Sequence, residues 1–229
     1  MIPVILLPGL LNDAELWAYQ QDSMKSDVAA QVPDLSKNDN IPDLARNVLS
    51  RAPKYFALAG LSMGGYVAME IMRQAPERVT KLALFDTSPR PDTPEHKQRR
   101  LMLINMARSG KFKGVTPRLL PLLVHPDHMQ ESGIADPILA MAQRIGREGF
   151  QNQQTAIMNR IDSRPHLPQI TCPAMIVVGA QDQLTPPMIA VEMAGLIPGA
   201  RLEIIEKCGH LPPLEQPEET TRLMREWLA

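Results

Sequence analysis

The sequence predicts an α/β fold in which a mostly parallel β-sheet is flanked by helices and interrupted by one helical insertion. Short apolar runs alternate with segments of helical period along most of the chain, as in sheets whose parallel strands are joined by crossover helices. This alternation stops between residues 89 and 167 and resumes at Cys172. The length of 229 residues suits one domain with a large core.

The predicted strands are short, apolar and bounded by turn residues. The runs at residues 79–87 and 174–179 are apolar almost throughout, which is typical of parallel strands covered on both faces. The N-terminal run carries Pro3 and Pro8 and lacks a preceding basic segment, so we expect a buried strand and not a signal peptide. The candidate strands are PVILLPG, DVAAQVPDL, YFALAGLS, VTKLALFDTS, CPAMIVVGAQD and ARLEIIEKCGH.

Helices are predicted between these strands and throughout the insertion. Those outside the insertion are Ile41–Arg51, 63–75, Pro187–Leu196 and Pro217–Leu228. The insertion contains three amphipathic patterns, EHKQRRLMLINMARSG, TPRLLPLLV and DPILAMAQRIG, and no convincing strand. Because it enters and leaves at strand ends, we expect it to cover the sheet edge where open α/β folds bind ligands. The predicted organisation is one domain, residues 1–229, with a helical cap at residues 89–167.

The composition argues against several classes of function. The net charge of −1 offers no electrostatic attraction for nucleic acid or for an anionic membrane. The five histidines form no HExxH motif, and Cys172 and Cys208 form no CxxC motif. We therefore expect no metal, no cofactor and no disulfide, and a cytoplasmic protein with two free thiols.

The stretch Gly60-Leu61-Ser62-Met63-Gly64 has the pattern GxSxG, placed where a strand ends and a helix begins. In that context the pattern indicates a nucleophile elbow. Glycine at positions 60 and 64 permits a turn around Ser62 that is sharp enough to strain the serine backbone. The hydroxyl then lies at a helix N-terminus, which stabilises developing negative charge. The alternative is a helix-capping serine in a glycine-softened turn.

A serine nucleophile needs a base and a group that orients the base. Asp182 and His210 each follow a predicted strand, 28 residues apart, which would bring both to the same sheet edge as Ser62. The alternatives are a helix-capping acid near Thr185 and a histidine at a helix entrance. For the oxyanion, the expected donors are the backbone N–H groups of Met63, which follows the serine, and of Leu10, in the loop after the first strand.

These segments together resemble the α/β-hydrolase superfamily, and within it the small cap-bearing esterases, lactonases and carbon–carbon bond hydrolases. The resemblance covers nearly the whole chain, through LLPGLL, GLSMGGYVAMEIM, RVTKLALFDTSPR, VVGAQDQLTPP and KCGHLPPLEQPEE. It implies a Ser62–His210–Asp182 triad with an oxyanion hole. Relatives usually carry a histidine where this chain has Pro8. The chain also starts at the third strand of the family's fuller sheet, so about six strands are expected.

The resemblance implies a serine hydrolase that cleaves carboxylic esters through an acyl-enzyme, with a small-molecule ester as its partner. The alternatives are a lactonase or carbon–carbon bond hydrolase, an acyltransferase, perhydrolase or lyase, and a non-catalytic ligand-binding member of the fold. The sequence predicts no oligomeric state.

Residues in and near the insertion bear on the substrate. Its methionines favour a small or medium apolar acyl group, because methionine adapts to irregular apolar surfaces, or they only pack the insertion onto the sheet. Arg90 either binds a substrate carboxylate or is solvated, and Trp17 lies either at the pocket mouth or under the oxyanion loop. The methionines are Met102, Met106, Met129, Met141 and Met158.

Overall fold

The fold is built on one β-sheet of six strands. A computed structural model of the chain describes residues 1–116, 118–129 and 131–229. Its strands are β1 (Ile2–Leu7), β2 (Val28–Gln31), β3 (Phe56–Leu61), β4 (Val79–Phe85), β5 (Ala174–Gly179) and β6 (Arg201–Ile205). They lie in the order β2-β1-β3-β4-β5-β6, and all neighbouring pairs are parallel. The prediction of a mostly parallel sheet of about six strands is confirmed.

The direction of chain progression across the sheet reverses beside β1. The chain places β2 on one side of β1, returns to place β3 on the other side, and then continues outward to β6. In open parallel sheets, the loops that follow the strands at such a reversal diverge and leave a crevice at the carboxyl edge. The loop after β1 and the turn after β3 border that crevice.

The central strands are buried because both faces of the sheet are covered. Every residue of β3 and β5 is buried, which explains their nearly continuous apolar sequences. The edge strand β6 has exposed and half-buried residues up to its last position, Ile205. The strongest sequence signals for strands therefore came from the centre of the sheet.

The helices are α1 (Ala18–Ser23), α2 (Ile41–Arg51), α3 (Met63–Gln74), α4 (Pro94–Met106), α5 (Leu120–Leu123), α6 (Ser132–Met158), α7 (Pro187–Leu196), α8 (Pro212–Glu215) and α9 (Pro217–Leu228). Those outside the insertion pack on both faces of the sheet. All those predicted are present, and the one predicted at 63–75 ends one residue earlier. Apolar residues of α2, α3 and α7 join the core on one face, and those of α9 join the core on the other. Two short helices, α1 and α8, were not predicted because six and four residues are too few to show a helical period. No helix in the described ranges has the length and apolar character needed to cross a membrane.

The insertion between β4 and β5 contributes α4, α5 and α6, and its described residues form no strand. The three predicted amphipathic patterns overlap these helices, although position 117 of the second pattern lies outside the described residues. Helix α6 continues to Met158 and is interrupted at Gly146, whose φ of 68° leaves the helical region. Its residue Ala142 belongs to the same hydrophobic cluster as Leu11 of the loop after β1, and its residue Gln153 accepts a hydrogen bond from Leu11 N, so the insertion contacts the carboxyl edge of the sheet.

Candidate active site

Ser62 occupies a strained turn between β3 and α3. Its φ and ψ are 54° and −114°, a region that residues other than glycine rarely adopt. The surrounding backbone holds this conformation: Ser62 N donates to Phe85 O at 3.0 Å, and Ser62 O accepts from Thr87 Oγ1 at 2.7 Å. The Ser62 side chain makes no capping hydrogen bond to α3. The geometry is therefore that of an elbow and not that of a capped helix start.

The glycines beside Ser62 are required by close backbone approach. A Cβ atom at Gly60 would collide with the backbone oxygen of Gly64, and one at Gly64 would collide with the backbone oxygen of Leu7. The turn can therefore close only with glycine at both positions of the GxSxG pattern. This physical requirement explains why the sequence pattern could locate the turn.

Asp182 and His210 form a buried pair at the same edge of the sheet. Their relative exposures are 4% and 3%, and His210 Nδ1 lies 2.8 Å from Asp182 Oδ2. Asp182 also accepts hydrogen bonds from Thr185 Oγ1 at 2.6 Å and from the backbone N–H of Leu184 at 2.8 Å. Burial alone disfavours the Asp182 carboxylate, but His210 and these donors outweigh it and hold its pKa below the usual range. Asp182 is therefore ionised at neutral pH and can orient the imidazole.

A chain of contacts connects this pair with the elbow. Thr87, which binds Ser62 O, directly follows Asp86. One carboxylate oxygen of Asp86, one of Asp182 and a ring nitrogen of His210 all lie within 4.8 Å of one another. The structure thus brings the three predicted catalytic residues to one edge of the sheet, at the ends of β3, β5 and β6.

The two predicted oxyanion donors border the crevice beside β1. A Cβ atom at Gly9 would lie 3.4 Å from Ser62 Cβ, so the loop that contains Leu10 approaches the elbow closely. Met63 is the first residue of α3, where the backbone N–H has no acceptor within the helix. The loop that contains Leu10 and the first turn of α3 therefore both lie beside Ser62.

The loop after β1 is held by the insertion. Leu11 has a φ of 60°, and its N–H donates to Oε1 of Gln153, a fully buried α6 side chain, at 3.0 Å. Gln153 was not predicted from the sequence, because no local pattern distinguishes it from the other glutamines of α6. Gln153 therefore braces the loop that follows β1.

Glu215 holds the loop of His210 and was also missed. Its Oε1 accepts from the N–H groups of Gly209 at 3.0 Å and Leu211 at 3.1 Å, on both sides of His210. Its Oε2 accepts from His125 N of the insertion at 2.6 Å and lies 3.1 Å from His128 Nδ1. One buried carboxylate therefore connects the histidine loop to the insertion.

The donor atoms at this edge could be mistaken for a metal site. Asp86, Asp182 and His210 present three possible ligand atoms within 4.8 Å of one another. His210 Nδ1 and Asp182 Oδ2 are at hydrogen-bond distance, 2.8 Å, and therefore already satisfy each other. The arrangement is that of a charge-assisted hydrogen bond with a second carboxyl group, that of Asp86, beside it.

The two cysteines are free, as predicted. Burial raises the pKa of the Cys172 thiol. Burial, together with the nearby Glu215 carboxylate, also raises the pKa of the Cys208 thiol. Since the thiolate is the nucleophilic form, these shifts disfavour both cysteines as nucleophiles.

The residues that the sequence connected with the substrate differ in how exposed they are. Trp17 is fully buried, with its ring edge-on to Phe85 at 5.5 Å between centroids, so it packs below the site. Arg90 forms an exposed ion pair with Glu192 at 2.8 Å. Among the insertion methionines, Met141 is fully buried, Met102 and Met106 are exposed, and Met129 and Met158 are half-buried.

A cavity of about 270 Å³ lies along α3, one turn from the elbow, and is lined by Tyr66, Glu70 and Arg160 among others. None of the predicted catalytic residues lines it. Arg160 stacks over the Tyr66 ring at 4.4 Å and pairs with Asp92 at 2.6 Å. The charged groups of this cavity are therefore largely neutralised by partners within the protein.

Comparison with known proteins gives consistent results. A sequence-family model described as the alpha/beta hydrolase family matches residues 4–223. A pimeloyl-[acyl-carrier protein] methyl ester esterase from Nitrosomonas europaea is 30% identical over 196 residues, which cover 79% of this chain and 74% of the relative.

Two solved structures are similar over the whole chain. A thermophilic esterase from Thermogutta terrifontis, with malate bound, has a TM-score of 0.90 and 30% identity and is matched over 89% of its length. An enol-lactonase from Burkholderia xenovorans has a TM-score of 0.84 and 24% identity, matched over 92% of its length. The second similarity concerns the fold alone.

Proposed function

The chain belongs to the alpha/beta hydrolase family and is a carboxylic ester hydrolase, and from this premise we propose that Ser62, His210 and Asp182 are its catalytic triad. The observation that carries the proposal is the buried hydrogen bond between His210 Nδ1 and Asp182 Oδ2. That bond leaves Nε2 as the ring nitrogen that can accept a proton. Ser62 lies at the same sheet edge with its hydroxyl free of any capping bond.

The proposed mechanism follows from these positions. His210 Nε2 removes the Ser62 proton as Oγ attacks the ester carbonyl, and Asp182 stabilises the imidazolium that forms. The N–H groups of Leu10 and Met63 bind the oxyanion. His210 then transfers the proton to the departing alcohol, and the acyl group remains on Ser62. His210 then deprotonates a water molecule, which attacks the acyl-enzyme and forms a second oxyanion bound by the same N–H groups. Collapse of this intermediate releases the acid, and His210 returns the proton to Ser62.

We propose that residues 89–167 act as a cap that limits substrate size, and that the acyl group is small or medium and apolar. The hydrophobic cluster shared by Ala142 and Leu11 and the hydrogen bond from Leu11 N to Gln153 support this role, because they hold α6 against the proposed oxyanion loop. Met141 of the same helix is fully buried in the core, so its packing helps to fix the position of α6.

The direct test is active-site labelling. A fluorophosphonate probe should modify Ser62, as located by mass spectrometry, and wild-type protein should hydrolyse p-nitrophenyl esters. Ser62→Ala should lose both properties. Modification of another serine, or persistent hydrolysis by Ser62→Ala, would contradict the assignment. A lactone and a carbon–carbon bond substrate, assayed under the same conditions, would test the alternative reactions.

A methyl ester on a carrier-bound acyl chain is a second candidate substrate. The relative named above acts on such an ester, and the insertion exposes a run of basic side chains that could bind an acidic carrier protein. A carrier-bound methyl ester should then show a higher kcat/KM than the free ester, and the advantage should fall with salt. Equal values would remove this candidate. The basic residues are Lys97, Arg99, Arg108, Lys111 and Lys113.

A further inference from the structure

A second buried carboxyl group, Asp86, lies beside the proposed catalytic pair. It directly follows β4 and is 1% exposed. Its φ of 42° is uncommon outside glycine, although aspartate tolerates it better than most residues. This conformation aims its side chain along the sheet edge, where Oδ1 accepts from Gly179 N at 2.8 Å. The sequence suggested no role for it, because Asp86 reads as the polar end of a strand.

Two carboxylates this close in a buried site oppose each other's ionisation, so that one of them has a raised pKa. Asp86 and Asp182 present oxygens within 4.8 Å of each other. Asp182 is the ionised member, because it faces His210 and accepts from Thr185 and Leu184. Burial, followed by the charge of Asp182, raises the pKa of Asp86 well above its usual range. Of the two groups, Asp86 is therefore the one that holds a proton.

The hydrogen bonds of Asp86 agree with this assignment. Oδ1 has a donor, but no donor in the described part of the chain reaches the buried Oδ2. An oxygen that carries a proton needs an acceptor instead, and an Asp182 carboxylate oxygen lies within 4.8 Å of the Asp86 carboxyl group. The other titratable groups that face Asp86 are the His210 ring, Glu215 and the Cys208 thiol, and the His210 ring is already hydrogen-bonded to Asp182.

We propose that Asp86 is a positioning residue which, as a neutral carboxylic acid, donates a hydrogen bond to Asp182 and fixes the carboxylate that orients His210. This inference rests on the proposed triad. It assigns Asp86 no contact with the substrate. Because Asp86 is neutral, Asp182 supplies the negative charge beside His210 and Asp86 adds none.

The test compares Asp86→Asn with Asp86→Ala. Asparagine is neutral and retains a donor of nearly the same shape, whereas alanine is neutral and has none. We expect kcat of Asp86→Ala to be about 10-fold below that of Asp86→Asn, the size of effect for losing a hydrogen bond to a charged group, with little difference in KM. Rates are expressed per site labelled by the fluorophosphonate, so that misfolded protein does not contribute.

The pH profile of kcat/KM provides a readout that a merely structural role would not change, because it reports the base of the free enzyme. The acidic limb should coincide in wild type and Asp86→Asn. If Asp86 were ionised, asparagine would remove a negative charge near His210 and shift the limb to lower pH, which would overturn the proposal. Equal kcat in the alanine and asparagine variants would also overturn it.

Infrared difference spectroscopy of wild type against Asp86→Asn covers the case in which Asp86→Ala does not fold. The carbonyl band of a protonated carboxylic acid should be present in wild type at neutral pH and absent from the variant. Its absence from wild type would overturn the proposal. This readout is independent of catalysis, whereas failure of the probe to label wild-type Ser62 would count against the proposed triad instead.

Discussion

Replacing Asp86 with asparagine should change how stability depends on pH. The pKa of Asp86 is raised by folding, so between its ordinary value near 4 and its folded value the native state binds one proton that the unfolded state does not. Native stability therefore falls as pH rises through this range, by about 1.4 kcal/mol per pH unit for one proton. Asparagine binds no proton in either state and lacks this dependence.

The measurement is urea unfolding of both proteins at several pH values. The free energy of unfolding of Asp86→Asn, relative to wild type, should increase by roughly 2 kcal/mol between about pH 5 and about pH 6.5. Asp43→Asn is a matched control: the hydrogen bond from Asn40 lowers the pKa of Asp43, so Asp43 is ionised in both states across this window and its difference should be constant. A constant difference for Asp86→Asn would refute the protonated state.

Three further predictions concern the site and the insertion. Asp182→Asn should fold normally but lose about 10⁴-fold in kcat through the wrong imidazole tautomer, and EDTA should leave wild-type activity unchanged. Met141→Ala, at a fully buried position, should lower the free energy of unfolding by about 2–5 kcal/mol, whereas Met102→Ala, at a position 59% exposed, should change it by less than about 0.5 kcal/mol. Glu215→Gln should lower the free energy of unfolding, measured in urea, by about 1–3 kcal/mol and should also lower kcat, because the amide leaves buried N–H groups without an acceptor. The control Glu218→Gln, at an exposed position, should change neither quantity.

Features with a local cause could be predicted from the sequence. Fully buried strands produce apolar runs, and the tight turn around Ser62 demands Gly60 and Gly64 for steric reasons. Asp182 and His210 could be placed because each follows a recognisable strand, and the carboxyl ends of parallel strands meet at one edge.

Features that depend on contacts between distant segments could not be predicted. Gln153 binds a backbone group 142 residues away, Asp86 one 93 residues away and Glu215 one 90 residues away. Each is a common polar residue whose neighbours in sequence form no pattern that indicates its role. Only the fold shows that these side chains are buried and hydrogen-bonded beside the site.

These distant contacts give the insertion a closer connection to the site than a cover alone would have. Gln153 of α6 binds the loop of Leu10 and Leu11, and the backbone oxygen of Leu123 accepts from His210 N at 2.9 Å. Glu215 adds a third connection through His125. Two of the loops that carry proposed catalytic groups are therefore bonded to the insertion. Movement of the insertion would disturb the oxyanion donor and the base together, so opening the site to substrate and assembling its catalytic geometry are expected to be coupled.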